Sequence, residues 1–242
     1  MRAFDADVTE DALLGGRVRV KQPARGYRVN ADTVLLASSI EALSGAHVLE
    51  AGCGVGAALL CAAARLDARF TGLERDPAYA ALARENVAAN GANAEIVEAD
   101  LFIARDLGVF DAVFFNPPFD TEGEGRGPAP ERRAAHIAER PIEDWIAKLA
   151  NHLKGGARLT LIHRARALPE ILAAFKGRLG GVEIMPIRPR AEEGAKRVLV
   201  RAAKGSRAPL ALYRGLDLHN TGGAKFTPEA DALFRGEALI WR

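Results

Sequence analysis

The sequence predicts an α/β fold: a Rossmann-like, seven-stranded, mostly parallel sheet with helices on both faces, a C-terminal antiparallel hairpin and a short N-terminal extension. Three observations predict it. Short β-like runs alternate with alanine-rich helical stretches through the middle of the chain. One of these runs ends in a glycine-rich turn that opens directly into a helical stretch. The last two runs have no helical stretch between them, and their link PIRPRAEEGAK (Pro186–Lys196) has the proline, glycine and charge of a hairpin loop.

In chain order, residues 1–45 form the extension: a β-like stretch at Arg17–Lys21, a turn, then a helix over Ala31–Glu41 that either Asn30 or Asp32 would cap. Residues 46–242 form the main domain. Its strands are expected at His47–Glu50, Arg69–Leu73, Glu95–Glu98, Ala112–Phe115, Arg158–His163, Val182–Pro186 and Arg197–Ala202. Helices are expected at Ala57–Arg65, Asp76–Ala89, Pro141–Leu153 and Leu168–Leu179. The second of these has Asp76 as N-cap, Pro77 at the first helical position and Asn90-Gly91 as its stop. TEGEGRGPAPERR, Thr121–Arg133, has no apolar period and reads as a flexible loop.

Composition narrows the function classes. The 242 residues are 49 % hydrophobic and 26 % charged, as in a soluble globular protein. No apolar run approaches the roughly 18 residues that span a bilayer, so no membrane partner is expected. Met1–Glu10 is acidic rather than apolar, unlike a signal peptide. Two cysteines, Cys53 and Cys61, suit free thiols in a reducing cytoplasm, and no zinc-type spacing is present, so no metal is expected. The net charge of +2 hides two basic clusters. Arg17–Arg28 holds five basic residues and no acid, and Pro186–Arg214 holds eight against Glu192 and Glu193. Such clusters fit either a solvated surface or a polyanion site.

Four motifs carry chemistry. In VLEAGCGVG, Val48–Gly56, an apolar strand ends at Glu50 and a turn with Gly52, Gly54 and Gly56 follows. Glycine lets the backbone turn sharply and lets a ligand approach, and the following helix start favours anionic groups. The string also satisfies the loose dinucleotide fingerprint. Glu74 ends the second strand, near the offset at which an acid accepts from vicinal ribose hydroxyls. Asp100-Leu101 follows the third strand, where a carboxylate can accept from an adenine amino group while Leu101 and Phe102 lie against the ring. Asn116-Pro117-Pro118-Phe119 follows the fourth. An aromatic amine is a poor nucleophile because its lone pair is delocalised. The Asn116 side-chain oxygen and the Pro117 carbonyl are two acceptors that could hold its hydrogens and pull the nitrogen towards tetrahedral geometry. The prolines preset the carbonyl direction, and Phe119 offers a stacking face. The five histidines are scattered with no evident catalytic pair, and Trp145 reads as a core residue.

Together these motifs resemble the class I S-adenosyl-L-methionine-dependent methyltransferases, and NPPF resembles their amino-methyltransferase signature. QPARGYRVNADTVLLA (Gln22–Ala37), GLERDPAYAALARENVAANG (Gly72–Gly91) and AKRVLVRAAKGSRAPL (Ala195–Leu210) extend the resemblance over nearly the whole chain. They resemble bacterial tRNA1(Val) (adenine-37-N6)-methyltransferases. The resemblance implies a cofactor site made by Glu50, Gly52, Cys53, Gly54 and Gly56 at the methionine end, Glu74 and Arg75 at the ribose, and Asp100 and Leu101 at the adenine. It places Asn116, Pro117, Pro118 and Phe119 at the target base, with Asn116 also beside the cofactor. Arg28, Asp32 and Thr33 belong to the extension, which caps the cofactor site. It implies RNA, specifically tRNA, as partner, with the basic clusters holding its phosphates; the oligomeric state, monomer or homodimer, stays open. Phe119 stands where adenine enzymes mostly carry Tyr and where guanine-N2 enzymes of ribosomal RNA often carry Phe; a guanine or a protein glutamine amide are the alternative acceptors.

Overall fold

The structure, a computed structural model, describes residues 8–25, 28–117, 140–221 and 225–242. The seven expected strands are present, as β3 (Ala46–Ala51), β4 (Ala68–Glu74), β5 (Ala94–Glu98), β6 (Phe110–Phe115), β7 (Leu153–Arg164), β8 (Leu179–Arg188) and β9 (Arg197–Lys204), following the N-terminal β1 (Val8–Leu13) and β2 (Val18–Pro23). Their order across the sheet is β8-β9-β7-β6-β3-β4-β5. β3 pairs in parallel with both β4 and β6, and β9 runs antiparallel to both β7 and β8. Two very short strands, β10 (Ala211–Leu212) and β11 (Leu216–Asp217), extend the edge by pairing in parallel with β8. The seven-stranded expectation therefore needs these two additions; a two-residue strand carries no periodic signal.

Helices cover both faces. α1 (Ala31–Ser38), α2 (Ala57–Ala63) and α3 (Pro77–Asn90) lie on one side, α4 (Ile142–Asn151) and α5 (Leu168–Phe175) on the other, and α6 (Pro228–Phe234) returns to the first side. Alternation along the strands feeds two cores. Val48 and Phe114 pack with Leu35, Leu59 and Leu60, while their chain neighbours Leu49 and Phe115 pack with Ile146, Leu149 and Phe175. α3 is built as its sequence predicts: Asp76 accepts from the Ala78 and Tyr79 amides, and Gly91 closes the helix at φ +59°. α6 is absent from the expected helices, although Thr227-Pro228-Glu229 has a capping residue, a first-position proline and an acid in the first turn.

The extension differs from expectation in two ways. It is a β-hairpin rather than a single β-like stretch, because the acid-bearing Val8–Leu13 pairs antiparallel with Val18–Pro23. The helix that follows ends at Ser38 rather than Glu41. The hydroxyls of Ser38 and Ser39 donate back to the Leu35 and Leu36 carbonyls, and Arg65 takes the Ala37 and Ile40 carbonyls. Such side-chain bonds compete with continued helix.

Two side-chain amides of α3 join the hairpin to the main domain. Asn86, buried, accepts from the Lys21 amide (2.8 Å) and donates to the Lys21 carbonyl (2.8 Å) and the Val55 carbonyl (3.0 Å). Asn90 accepts from the Arg19 amide (2.9 Å) and donates to its carbonyl (2.7 Å). Asn86 thus ties the outer edge of β2 to the glycine turn. Removing it strands three backbone groups, the buried Val55 carbonyl and two part-buried groups of Lys21, and an unpartnered group costs about 1–3 kcal/mol when buried. Asn86→Ala should lower the urea midpoint by the equivalent of about 3 kcal/mol, and Asn90→Ala by clearly less because its bonds are exposed. Equal losses in the two variants would refute this account of the junction.

Candidate active site

The parallel strands bring four loops to one edge of the sheet. Ala51 of β3 is level with Leu73 of β4 and Phe115 of β6, and Glu74 is level with Glu98 of β5. The glycine turn, Glu74, Asp100 and Asn116 therefore leave the sheet side by side. The chain fills β3, β4 and β5 on one side and then crosses to β6 on the other, so the glycine turn and Asn116 flank the switch point where open α/β sheets bind ligands.

The turn is held from below. Gly52 and Cys53 both donate to the Leu73 carbonyl (2.8 and 3.0 Å), and Gly54 donates to Glu74 Oε2 (2.8 Å). Gly52 and Gly54 adopt φ +70° and +55°, and Gly56, at +80°, starts α2. Among the described residues, a Cβ at Gly54 would meet nothing within 4 Å, so none of them closes the upper side of the turn. Glu74 Oε1 accepts from the Asp76 amide (2.8 Å). Its carboxylate thus bonds the turn and the start of α3, and retains acceptor positions beyond these two. Arg75 beside it is exposed. Asp100 Oδ1 accepts from the Phe102 amide (2.7 Å), a local turn that fixes the carboxylate, and Leu101 is buried beneath it.

Glu50 lies deeper than an open ligand site. It is buried, and its Oε2 accepts from the Leu59 amide (2.8 Å), supplying the first turn of α2 with an acceptor that Gly56 lacks. Burial pushes its carboxyl well above the usual range, and Glu74 adds to this against the Leu59 bond. Burial likewise pushes the Cys53 thiol well up and the Cys61 thiol up to about 12, with Glu50 contributing to both.

Asn116 is half-buried and Pro117 buried at the end of β6. Pro118, Phe119 and the Thr121–Arg133 loop lie outside the described residues. Asn30, not Asp32, caps α1, accepting from the Asp32 amide (2.9 Å). The Asp32 carboxylate instead accepts from Arg197 at the start of β9 (2.9 Å), and Thr33 is buried. Arg28 donates to Thr9 (3.0 Å) and Asp11 (2.6 Å) of β1, so it is held by the hairpin.

Much of the two basic clusters is committed within the molecule. Arg19, Lys21 and Arg28 pair with Glu10, Glu85 and Asp11. Arg188, Arg190, Arg197 and Arg214 pair with Asp217, Glu193, Asp32 and Glu229. Arg201 is buried between Glu41 and Glu183. What sequence reading missed is the edge itself: Arg164 lies opposite Arg197, and Ala165 donates to the Lys196 carbonyl, so Arg164, Arg166, Lys196 and Arg197 gather beside the strand from which Asn116 emerges. Like charges opposite one another weaken a sheet, and only adjacency of strand ends reveals them.

His163, buried near the end of β7, is among the described residues the histidine nearest in register to Asn116 and Pro117. Burial, with nearby Arg164, Arg197 and Arg166, drives its pKa down to about 4 despite an opposing backbone bond. The unfolded chain therefore takes up this proton first, so the group's contribution is present above the ordinary value of 6.5 and is lost as pH falls towards 4. Stability should fall by about 2 kcal/mol between pH 7 and pH 5 from this residue alone, and His163→Gln should flatten that part of the urea-midpoint profile. An unchanged slope in the variant would exclude the assignment. In a second measurement, both thiols should resist iodoacetamide at pH 8 in the folded protein and react on unfolding; rapid native labelling would contradict their burial.

Known proteins resemble this chain in sequence and fold. The model of the methyltransferase small domain matches residues 26–177. The chain is 31 % identical over 199 residues to the tRNA1(Val) (adenine(37)-N6)-methyltransferase of Porphyromonas gingivalis, covering 76 % of this chain and 77 % of that protein. It is 31 % identical over 136 residues to the ribosomal RNA small subunit methyltransferase C of Pseudomonas fluorescens, covering 56 % of this chain but only 37 % of that protein. A Methanocaldococcus jannaschii protein named for protein N5-glutamine methylation is 30 % identical over 149 residues, covering 60 % of this chain and 75 % of its own. The crystal structure of Atu636 from Agrobacterium tumefaciens, described as a predicted O-methyltransferase, superposes with a TM-score of 0.73 at 35 % identity, covering 87 % of this chain and 99 % of that one. The chain spans about a third to a half of the ribosomal RNA relatives it matches. With the family model covering more than half of its residues, the chain belongs to the methyltransferase small domain family.

Proposed function

We propose that the protein is an S-adenosylmethionine-dependent RNA methyltransferase whose acceptor is an exocyclic amine, the N6 of an adenine in the anticodon loop of a tRNA(Val). The observation that carries the reading is the emergence of Asn116 and Pro117 beside the glycine turn at the switch point of the sheet. The residues present fit the cofactor. The turn is open above Gly54, Glu74 keeps acceptor capacity for a ribose diol, and Asp100 is fixed for an adenine amine. The N-terminal hairpin and α1 cap this site in the same reading, with Arg28 presented by β1 and Asn86 joining β2 to the turn.

S-adenosylmethionine supplies a methyl group already activated on a sulfonium. The chain's part is to hold the acceptor. The Asn116 side-chain oxygen and the Pro117 carbonyl accept the two amine hydrogens, which localises the nitrogen lone pair and aims it. Neither group takes up a proton near neutral pH. That suits an amine, which sheds its proton to water after transfer, better than a hydroxyl, which needs a base beforehand. Phe119 stacks the base once it has left its own stack, a small cost in an anticodon loop. Arg164, Arg166 and Lys196, gathered where β7 ends and β9 begins, would hold phosphates, so RNA affinity should fall steeply with salt. A guanine N2 acceptor is the second reading, favoured by Phe119 and by the ribosomal RNA relative.

The test is to incubate the protein with tritiated cofactor and total RNA from a strain lacking it, and to identify the labelled nucleoside. N6-methyladenosine in tRNA is expected. Label in N2-methylguanosine, or in protein alone, overturns the adenine reading. Asn116→Ala should keep cofactor binding within a few-fold and lower transfer by roughly 10²-fold or more; loss of both would make Asn116 a structural residue.

A further inference from the structure

Trp145 meets the sheet edge at three places: the last residue of β6, the turn after β5 and the glycine turn after β3. Its indole stacks on Phe115, the residue before Asn116, with centroids 5.9 Å apart and planes at 6°. Phe102, which follows Asp100-Leu101, meets it edge-on at 5.4 Å and 89°. The far edge of the indole, Cη2 and Cζ3, lies 3.6 and 3.8 Å from the position a Cβ would take on Gly52. Arg140 closes the outer side of the group, its guanidinium 4.4 Å from the Phe102 ring centroid.

This is more than a core tryptophan needs. Phe115 beneath it is fully buried, whereas Trp145 is only partly so, and the residue facing its far edge is a glycine, which puts no side chain there. A side chain at position 52 would roof the indole over. The ring therefore spans the gap between the glycine turn and the Asp100–Phe102 turn, presenting an aromatic surface between an anion-favouring turn and an adenine acceptor.

We propose that Trp145 is the floor of the cofactor pocket and packs directly against the adenosine part of the cofactor. The proposal rests on the reading that the glycine turn and Asp100 hold that cofactor. It assigns a contact to the helix α4, which no motif of the sequence marks.

The chain has two tryptophans, and Trp241 is engaged elsewhere, over Arg201 and against the Ser39 carbonyl. S-adenosylhomocysteine should therefore change the intrinsic emission of the wild-type protein, saturating in step with the calorimetric isotherm. In Trp145→Phe that emission change should vanish while calorimetry still shows binding within about threefold, since the ring is kept. In Trp145→Ala affinity should fall roughly tenfold or more. Calorimetric binding without any emission change in the wild type overturns the proposal, as does Trp145→Ala binding like wild type. If the alanine variant fails to fold, the phenylalanine variant decides. Glu74→Gln and Asp100→Asn test the underlying reading separately: unchanged S-adenosylhomocysteine affinity in both would remove the loops from the cofactor site, whatever Trp145 does.

Discussion

β3 is paired in parallel with two strands that the chain reaches by opposite routes. That constraint governs the rest of the molecule. A parallel neighbour requires a crossover, and the crossovers through α2 and α3 fill one side while β6 and the helices after it fill the other. β3 is therefore buried on both faces, with Val48 and Leu49 feeding separate cores. Its exit has to be a turn that clears two neighbouring strands at once. Gly52 and Gly54 meet that need with left-handed backbone, and two amides of the turn lean on the last carbonyl region of β4. The open ground above the turn is a by-product of this topology, which is why chemistry concentrates there.

Charge has a different distribution in space from its distribution along the chain. The runs of arginine and lysine look like a polyanion surface when read linearly, yet much of their charge neutralises acids on distant elements. Arg201 is the clearest case. It sits in the middle of β9 with Glu41 and Glu183 on its guanidinium and the Trp241 ring above it at 4.2 Å. Although burial acts to raise the Glu183 carboxyl, Arg201 and Tyr213 hold it below the ordinary range. Such a buried pair is costly to break and fixes how its elements meet. The cations at the carboxyl edge come from the tips of strands, which strand pairing brings together.

The legible part of the sequence was the part governed by local chemistry. Asp76, Pro77 and Gly91 set α3 to within a residue, and the hydrophobic runs of β3, β4 and β6 lie where the pattern puts them. The four motif loops also follow in order, because each is tied to a strand end. What was not legible depends on partners far away in sequence. Val8–Leu13 carries two acids and becomes a strand only by pairing with β2. The early end of α1 follows from back-bonding serines and from Arg65, which lies on a later element. Glu50 reads as a strand-end ligand, but its carboxylate serves α2. Trp145 carries no motif, and its three neighbours lie at the carboxyl ends of three different strands.

The two asparagines that hold the hairpin have a geometric consequence. Asn86 and Asn90 are four residues apart on a helix, about 6 Å along its axis. Lys21 and Arg19, which they grip, are two apart on a strand, about 6.7 Å. The two repeats are commensurate, so the helix reads the strand like a ratchet with a two-residue tooth. Loss or gain of a single residue in β2 would present the wrong face of the strand to both amides at once and turn Val18 and Val20 out of the core. Variation in length ahead of the main domain is thereby confined to even steps or to the hairpin turn, and the glycine turn inherits that protection through the Val55 carbonyl.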